Sequence, residues 1–125
     1  MKRLIIKIKK DENERFLVQT ETFKVHSEET ISNILTMICS LLNIQGVNNA
    51  VPRNLENLHE LVEKGFTIRV DEVEDHLRFL AYKGQASTSC GVSKEMGISR
   101  LLLNAEDFAE TLLEDLKVNT ACGIQ

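Results

Sequence analysis

Residues 3–9, Arg-Leu-Ile-Ile-Lys-Ile-Lys, alternate, with Leu4, Ile6 and Ile8 on one side and Arg3, Ile5, Lys7 and Lys9 on the other. A period of two with branched side chains calls for a pleated strand with one buried face. The polar stretch Asp11-Glu12-Asn13-Glu14 then turns the chain, and residues 15–25 supply a second run. There Phe16 and Val18 share one parity while Phe23 and Val25 share the other. The phase slips between Gln19 and Thr22, as a bulge or a strand end would make it. The two runs are expected to pair as an antiparallel hairpin.

The hairpin needs a cover, and the next segment offers one. Ile31, Ile34, Leu35, Ile38, Leu41 and Leu42 recur at three- and four-residue steps, the signature of an amphipathic helix. Ser27 is its expected cap, with Glu28 and Glu29 in a first turn that favours carboxylates. The helix is expected to end near Asn43, and residues 44–51 read as a loop or a short irregular strand. Beyond Pro52, Asn54 is placed to cap a shorter helix with Leu55, Leu58, Leu61 and Val62 on its apolar side, stopped by Gly65. Residues 66–70 alternate weakly and read as a third strand. Asp71 with Glu74 matches a capping pattern for a helix through Val73, Leu77 and Leu80 to Gly84. Residues 85–93 are small and polar and read as a mobile loop. A last helix is expected near Asn104, with Phe108, Leu112, Leu113 and Leu116 inward, and residues 119–125 read as a tail.

Leu, Ile, Val and Phe supply 40 of the 125 residues, enough for a core and for about one domain. No run approaches the roughly 18 apolar residues of a membrane span. The three cysteines, Cys39, Cys90 and Cys122, are widely spaced, which suits reduced thiols in the cytoplasm. The net charge of −4 hides a division: residues 1–26 carry +3 and residues 71–116 carry −6. The acidic pI and the six aromatics argue against nucleic-acid binding.

The chemical inventory is sparse. Thr88-Ser89-Cys90-Gly91 is the most enzyme-like string, because a loop thiol becomes a nucleophile when a base lowers its pKa. No protease or phosphatase string surrounds Cys90, and a loop cysteine without catalytic duty is the plainer reading. Cys39 lies within the apolar helix stripe and reads as core. Cysteines and histidines never approach one another at zinc spacing, and no phosphate-binding glycine pattern occurs, so no metal, cofactor or small-molecule ligand is expected. Arg3, Lys7 and Lys9 on the first strand are the candidate protein-binding residues. The competing reading is that they keep an edge strand soluble.

The order hairpin, helix, short strand, helix is that of the ubiquitin-like β-grasp. Residues 4–9, the charged turn, Arg15-Phe-Leu-Val-Gln19, the Glu28-Glu29-Thr30 helix start and residues 58–65, Leu-His-Glu-Leu-Val-Glu-Lys-Gly, together resemble the Kurly family of cilia- and flagella-associated proteins. The resemblance covers residues 3–69. Family members are much longer, and the basic segment that usually joins their two helices is replaced here by residues 44–51. The resemblance implies a non-catalytic role through protein partners in ciliary motility or axonemal dynein-arm assembly.

The expected architecture is thus α+β. It comprises a β-grasp-like domain over residues 1–70, a helical extension over 71–118 packed on the same core, and a tail over 119–125. The expected function is a non-catalytic protein-interaction module in the cytoplasm, cilium or flagellum, bound to no membrane. The alternatives are a small thiol enzyme using Cys90 and an acidic subunit of a larger complex.

Overall fold

The alternation at the amino terminus becomes an interior strand of a six-stranded sheet. A computed structural model describes the backbone of residues 2–41 and 51–123, with side chains through residue 118. The elements run β1 (Lys2–Lys10), β2 (Phe16–Gln19), β3 (Lys24–Ser27), α1 (Ile31–Leu41), α2 (Glu56–Glu63), β4 (Thr67–Val73), β5 (His76–Lys83), β6 (Ala86–Ser93), a 3-10 turn (Lys94–Met96) and α3 (Gly97–Gly123). The sheet order is β3-β2-β1-β4-β5-β6, and every neighbouring pair is antiparallel. The fold is α+β.

Cross-strand register sorts the side chains. Val18, Ile8, Ile68 and Ala81 stand opposite one another and are all buried, as are Ile6, Val70 and Phe79. The three helices pack on this side, and α1, α2 and α3 contribute Ile31, Ile34, Leu35, Leu58, Leu61, Leu101 and Leu102 to the same core. Each such buried side chain is worth about 1.5–3 kcal/mol before conformational entropy is subtracted. Alternation leaves the other face of the sheet to solvent.

A bulge between Leu4 and Ile6 alters the simple alternation. Ile5 is the extra residue, and both Ile5 and Ile6 enter the core. Upstream of the bulge the phase is inverted, so Arg3 stands opposite Glu72 on the helix side and not beside Lys7 and Lys9. The phase slip expected after Gln19 is a strand end: residues 20–23 turn, and β3 follows.

Helix ends follow local chemistry. Thr30, not Ser27, caps α1, its Oγ1 accepting the Asn33 amide at 3.2 Å. Ser27 ends β3 and takes the Glu29 amide at 3.1 Å, so Glu28 and Glu29 precede the helix. Leu55, not Asn54, occupies the cap position of α2. The α2 carboxy terminus matches expectation: the Phe66 amide reaches Leu61 O and the Gly65 amide reaches Val62 O, with Gly65 at φ +97°. This paired arrangement satisfies the last carbonyls through a left-handed glycine.

The largest departure from the sequence reading lies in residues 71–93. The expected helix over 71–84 and the expected mobile loop over 85–93 are instead the end of β4, all of β5 and all of β6. Leu77, Phe79 and Ala81 alternate inward against exposed or half-buried Arg78, Leu80 and Tyr82, a period of two that favours strand. Glu74, at φ +54°, sits in the β4–β5 turn rather than in a helix's first turn. A boundary at residue 70 falls inside β4, and the chain beyond it continues the same sheet and core.

The last helix begins at Gly97, earlier than expected, and its backbone continues through residues 119–123 where a tail was expected. Ala105 and Ala109 face the sheet, whereas Phe108 is 46 % exposed rather than inward. The helix end expected near Asn43 and most of the expected 44–51 loop lie outside the described residues.

Candidate protein-docking surface

The solvent face of the sheet gathers cations from four strands. One cross-strand row reads Lys24, Gln19, Lys7, Arg69, Leu80, Ser89 from β3 to β6. At about 4.8 Å between strands, that row spans roughly 24 Å. The neighbouring positions are Lys9 and Leu17, opposite each other, and Tyr82 opposite Thr67 on one side; Asp71 opposite Arg78 lies on the other. Lys2 extends the cationic surface along β1.

Lys7 and Arg69 stand directly opposite each other. Like charges in that relation cost stability. Arg69 is moderated by Asp71, whose carboxylate oxygens lie 2.9 and 3.0 Å from its Nε, with Lys2 Nζ at 3.5 Å. Among the described residues, Lys7, Lys9, Lys24 and Arg78 have no carboxylate within ion-pair distance. Half-buried Leu17, Leu80 and Tyr82 lie between these cations and provide apolar contact area. The surface is therefore net positive on a chain whose total charge is −4.

Of the three residues expected to bind a partner, Lys7 and Lys9 meet on this face, and Arg3 does not. Arg3 Nε lies 3.9 Å from Glu21. The alternative role for these lysines, protection of a sheet edge, is overturned, because β1 has neighbours on both sides. Lys24, Arg69 and Arg78 were missed as members because the surface exists only in cross-strand register, which linear spacing does not carry.

Cys90 is not on a loop. It lies in β6 opposite Phe79, half-buried against the core, and burial pushes its thiol up to about 11. Cys39 is buried in α1 and is likewise pushed up by burial to about 11. A nucleophilic cysteine needs the opposite shift. The histidines His26 and His59 are engaged elsewhere: His26 Nδ1 is 2.6 Å from Asp11, and His59 Nε2 is 3.5 Å from Glu63.

Among the described residues, two concavities lie against α1. A cleft of about 440 Å³ between the start of α1 and α2 is lined by Arg53, Glu56, His59, Glu60 and Glu63. Two of its carboxylates are engaged internally, with Lys10 Nζ 2.7 Å from Glu63 and Lys64 Nζ 3.9 Å from Glu60. A groove of about 260 Å³ between β3 and α1 is lined by Phe23, Val25, Met37 and Leu41. Among the described residues there is no group of three or more histidine, cysteine or carboxylate side chains placed to hold a metal ion. Comparison of the chain with protein-family models, curated proteins and solved structures gives no match.

Proposed function

We propose that this chain is a non-catalytic protein-interaction module that docks an acidic, partly apolar segment of a protein partner on the open face of its sheet. The observation that carries this reading is the run of Lys24, Lys7, Arg69 and Arg78 across four strands, with Lys9 beside it. Only the buried Asp71 neutralises any of it on that face among the described residues. Complementary charge steers such a segment, and Leu17, Leu80 and Tyr82 supply contact once it has arrived. A protein segment fits better than nucleic acid. Tyr82 is the face's one phenylalanine, tyrosine or tryptophan among the described residues, so bases find few large stacking platforms. The acidic remainder of the molecule also repels a long polyanion, whereas a short segment within a Debye length of about 8 Å feels the local patch.

The antiparallel pair β1–β2, followed through β3 by α1, supports a grasp-type reading of residues 1–70 within this proposal. The antiparallel β4 beside β1, and the strands β5 and β6, make the sheet larger than that unit. The cytoplasmic, ciliary or flagellar setting and the part in dynein-arm assembly enter through the resemblance of residues 3–69. Among the described residues no helix is long and apolar enough to cross a membrane.

The test is fluorescence anisotropy with a labelled ten-residue peptide alternating Glu with Leu and Ser. Binding is expected to weaken about tenfold or more when Lys7→Glu and Lys9→Glu are combined, and to weaken with added salt. Arg3→Glu is expected to leave it unchanged. Equal affinity in all three proteins, or tighter binding of a single-stranded ten-nucleotide DNA, would overturn the reading. For the setting, a tagged chain expressed in a flagellate cell is expected at the flagellum or in its cytoplasmic assembly pool, and exclusion from both removes that part.

A further inference from the structure

The two edges of the sheet differ. β3 is four residues long and carries Lys24 and His26, features that discourage pairing with another chain. β6 is eight residues long, Ala-Ser-Thr-Ser-Cys-Gly-Val-Ser, with no charge and no proline. Among the described residues it has a strand neighbour on one side only, β5. At about 3.3 Å per residue it presents an edge of roughly 26 Å, along which about half the backbone amides and carbonyls point away from β5. Long, neutral, unprotected edges are templates for a further strand.

A second feature lies over the same edge. α3 packs on β5 and β6, and α2 packs on β1 and β4. Glu106 marks the α2 flank of α3, since its carboxylate accepts the Asn57 and Leu58 amides of α2 at 2.9 and 3.0 Å. Phe108 lies two residues on, about 200° around the helix axis, which puts it on the opposite flank, above the β6 edge. It is 46 % exposed. Asn104 and Thr111 share that flank with one acid, Asp115, while Glu106 and Glu110 lie on the other side. The β6 edge and the flank above it form a continuous surface nearly free of charge.

We infer that this surface pairs with a second copy of the chain, β6 against β6 in antiparallel fashion and α3 beside α3. A two-fold contact brings every patch against itself. The open sheet face would set cations against cations. The outer side of α3, with exposed Asp107, Glu110 and Glu114, would set acids against acids. The β6 edge and the Phe108 flank can meet themselves without that repulsion. The pairing satisfies the outward backbone groups of both strands and covers both Phe108 rings. It also joins two sheets into one of twelve strands with a continuous basic face.

Sedimentation equilibrium of the whole chain over micromolar to several hundred micromolar loading tests this. The expected mass is twice 14.2 kDa, unchanged by added salt. Ser87→Lys with Ser89→Lys, both on the exposed side of β6, and separately Phe108→Glu, are expected to give monomers at the same loading with unaltered circular dichroism. Val25→Glu at the opposite edge is expected to remain dimeric. A monomeric wild type overturns the inference whatever the variants do. A dimer that persists in both variants, or one that dissolves in moderate salt as a head-to-tail contact of basic face on acidic helices would, also overturns it.

Discussion

Arg69 Nε lies 2.9 and 3.0 Å from the two carboxylate oxygens of Asp71, two residues further along the same strand. Alternation puts both side chains on the open face, and Asp71 is nevertheless fully buried. Its charge is tolerated because Arg69 and the more distant Lys2 neutralise it. Arg69→Ala leaves a buried carboxylate with little compensation, a change expected to cost about 3 kcal/mol. Asp71→Asn removes the charge while Arg69 still reaches solvent, and it is expected to cost clearly less. Urea unfolding of the two variants checks the order, and equal losses would contradict it.

Glu106 supplies what α2 lacks at its own start. With Leu55 at the cap position there is no local side-chain acceptor, and the α3 carboxylate takes the first amides instead. The same contact ties α2 to α3. Glu106→Ala is expected to lower stability by about 1–2 kcal/mol, and Glu106→Gln by less, because the amide oxygen still accepts one hydrogen bond. Thermal melts of both variants at pH 7 measure the difference.

Some of this was readable from the chain alone. α2 and its stop were legible because Leu55, Leu58, Leu61 and Val62 keep helical spacing and Gly65 supplies the left-handed residue that ends it. β6 was not, since its inward Ala86, Thr88, Cys90 and Val92 alternate with serines and a glycine, a contrast too weak to mark a strand in the sequence. Asp71 and Glu74 misled because an acid three residues after a capping type is shared by helix starts and hairpin flanks. The candidate face was half legible. Lys7 and Lys9 lie on one strand, but the bulge at Ile5 turns Arg3 away, and Lys24, Arg69 and Arg78 join only through register. Glu106 could not be assigned, because its partners are 48 and 49 residues away.

Burial governs Cys90. With its thiol pushed up to about 11, the reactive thiolate is scarce at neutral pH. Iodoacetamide labelling of the folded protein, read at Cys90 by peptide mass mapping, is expected to be slow at pH 7–8 and to rise toward pH 11. In urea the same residue is expected to react with an ordinary thiol midpoint near 8.5. Fast labelling of the folded protein at pH 7 would restore the thiol-enzyme alternative.

The β1–β2 turn has its own pH dependence. Burial alone pushes the Asp11 carboxyl up, but the Arg15 amide, His26 and the Asn13 amide all donate to it and hold it below the usual carboxylate value. A lowered folded pKa means the carboxylate contributes stability above its unfolded value of about 3.9, lost as pH falls through the folded value. The Tm difference between wild type and Asp11→Asn is therefore expected to be full at pH 6 and to shrink below pH 4. Lys10 behaves oppositely: hydrogen bonds to Glu14 and Glu63 raise it, so its contribution is complete below about 10.5 and fades as pH rises through the folded value.

Two turn positions are predicted to respond in opposite directions. Glu74 takes a left-handed φ of +54° between β4 and β5, a conformation that glycine adopts without strain. Glu74→Gly trades that strain against a more flexible unfolded chain and is expected to raise stability modestly, by about 0.5 kcal/mol. Gly65 has φ +97°, and a side chain there would also meet Lys83 Nζ at 3.2 Å, while Lys83 itself donates to Lys64 O at the end of α2. Gly65→Ala is expected to lower stability by about 1 kcal/mol or more. Chemical denaturation of the two single variants against wild type settles the signs. A stabilised Gly65→Ala would mean that the α2 stop does not depend on the left-handed glycine.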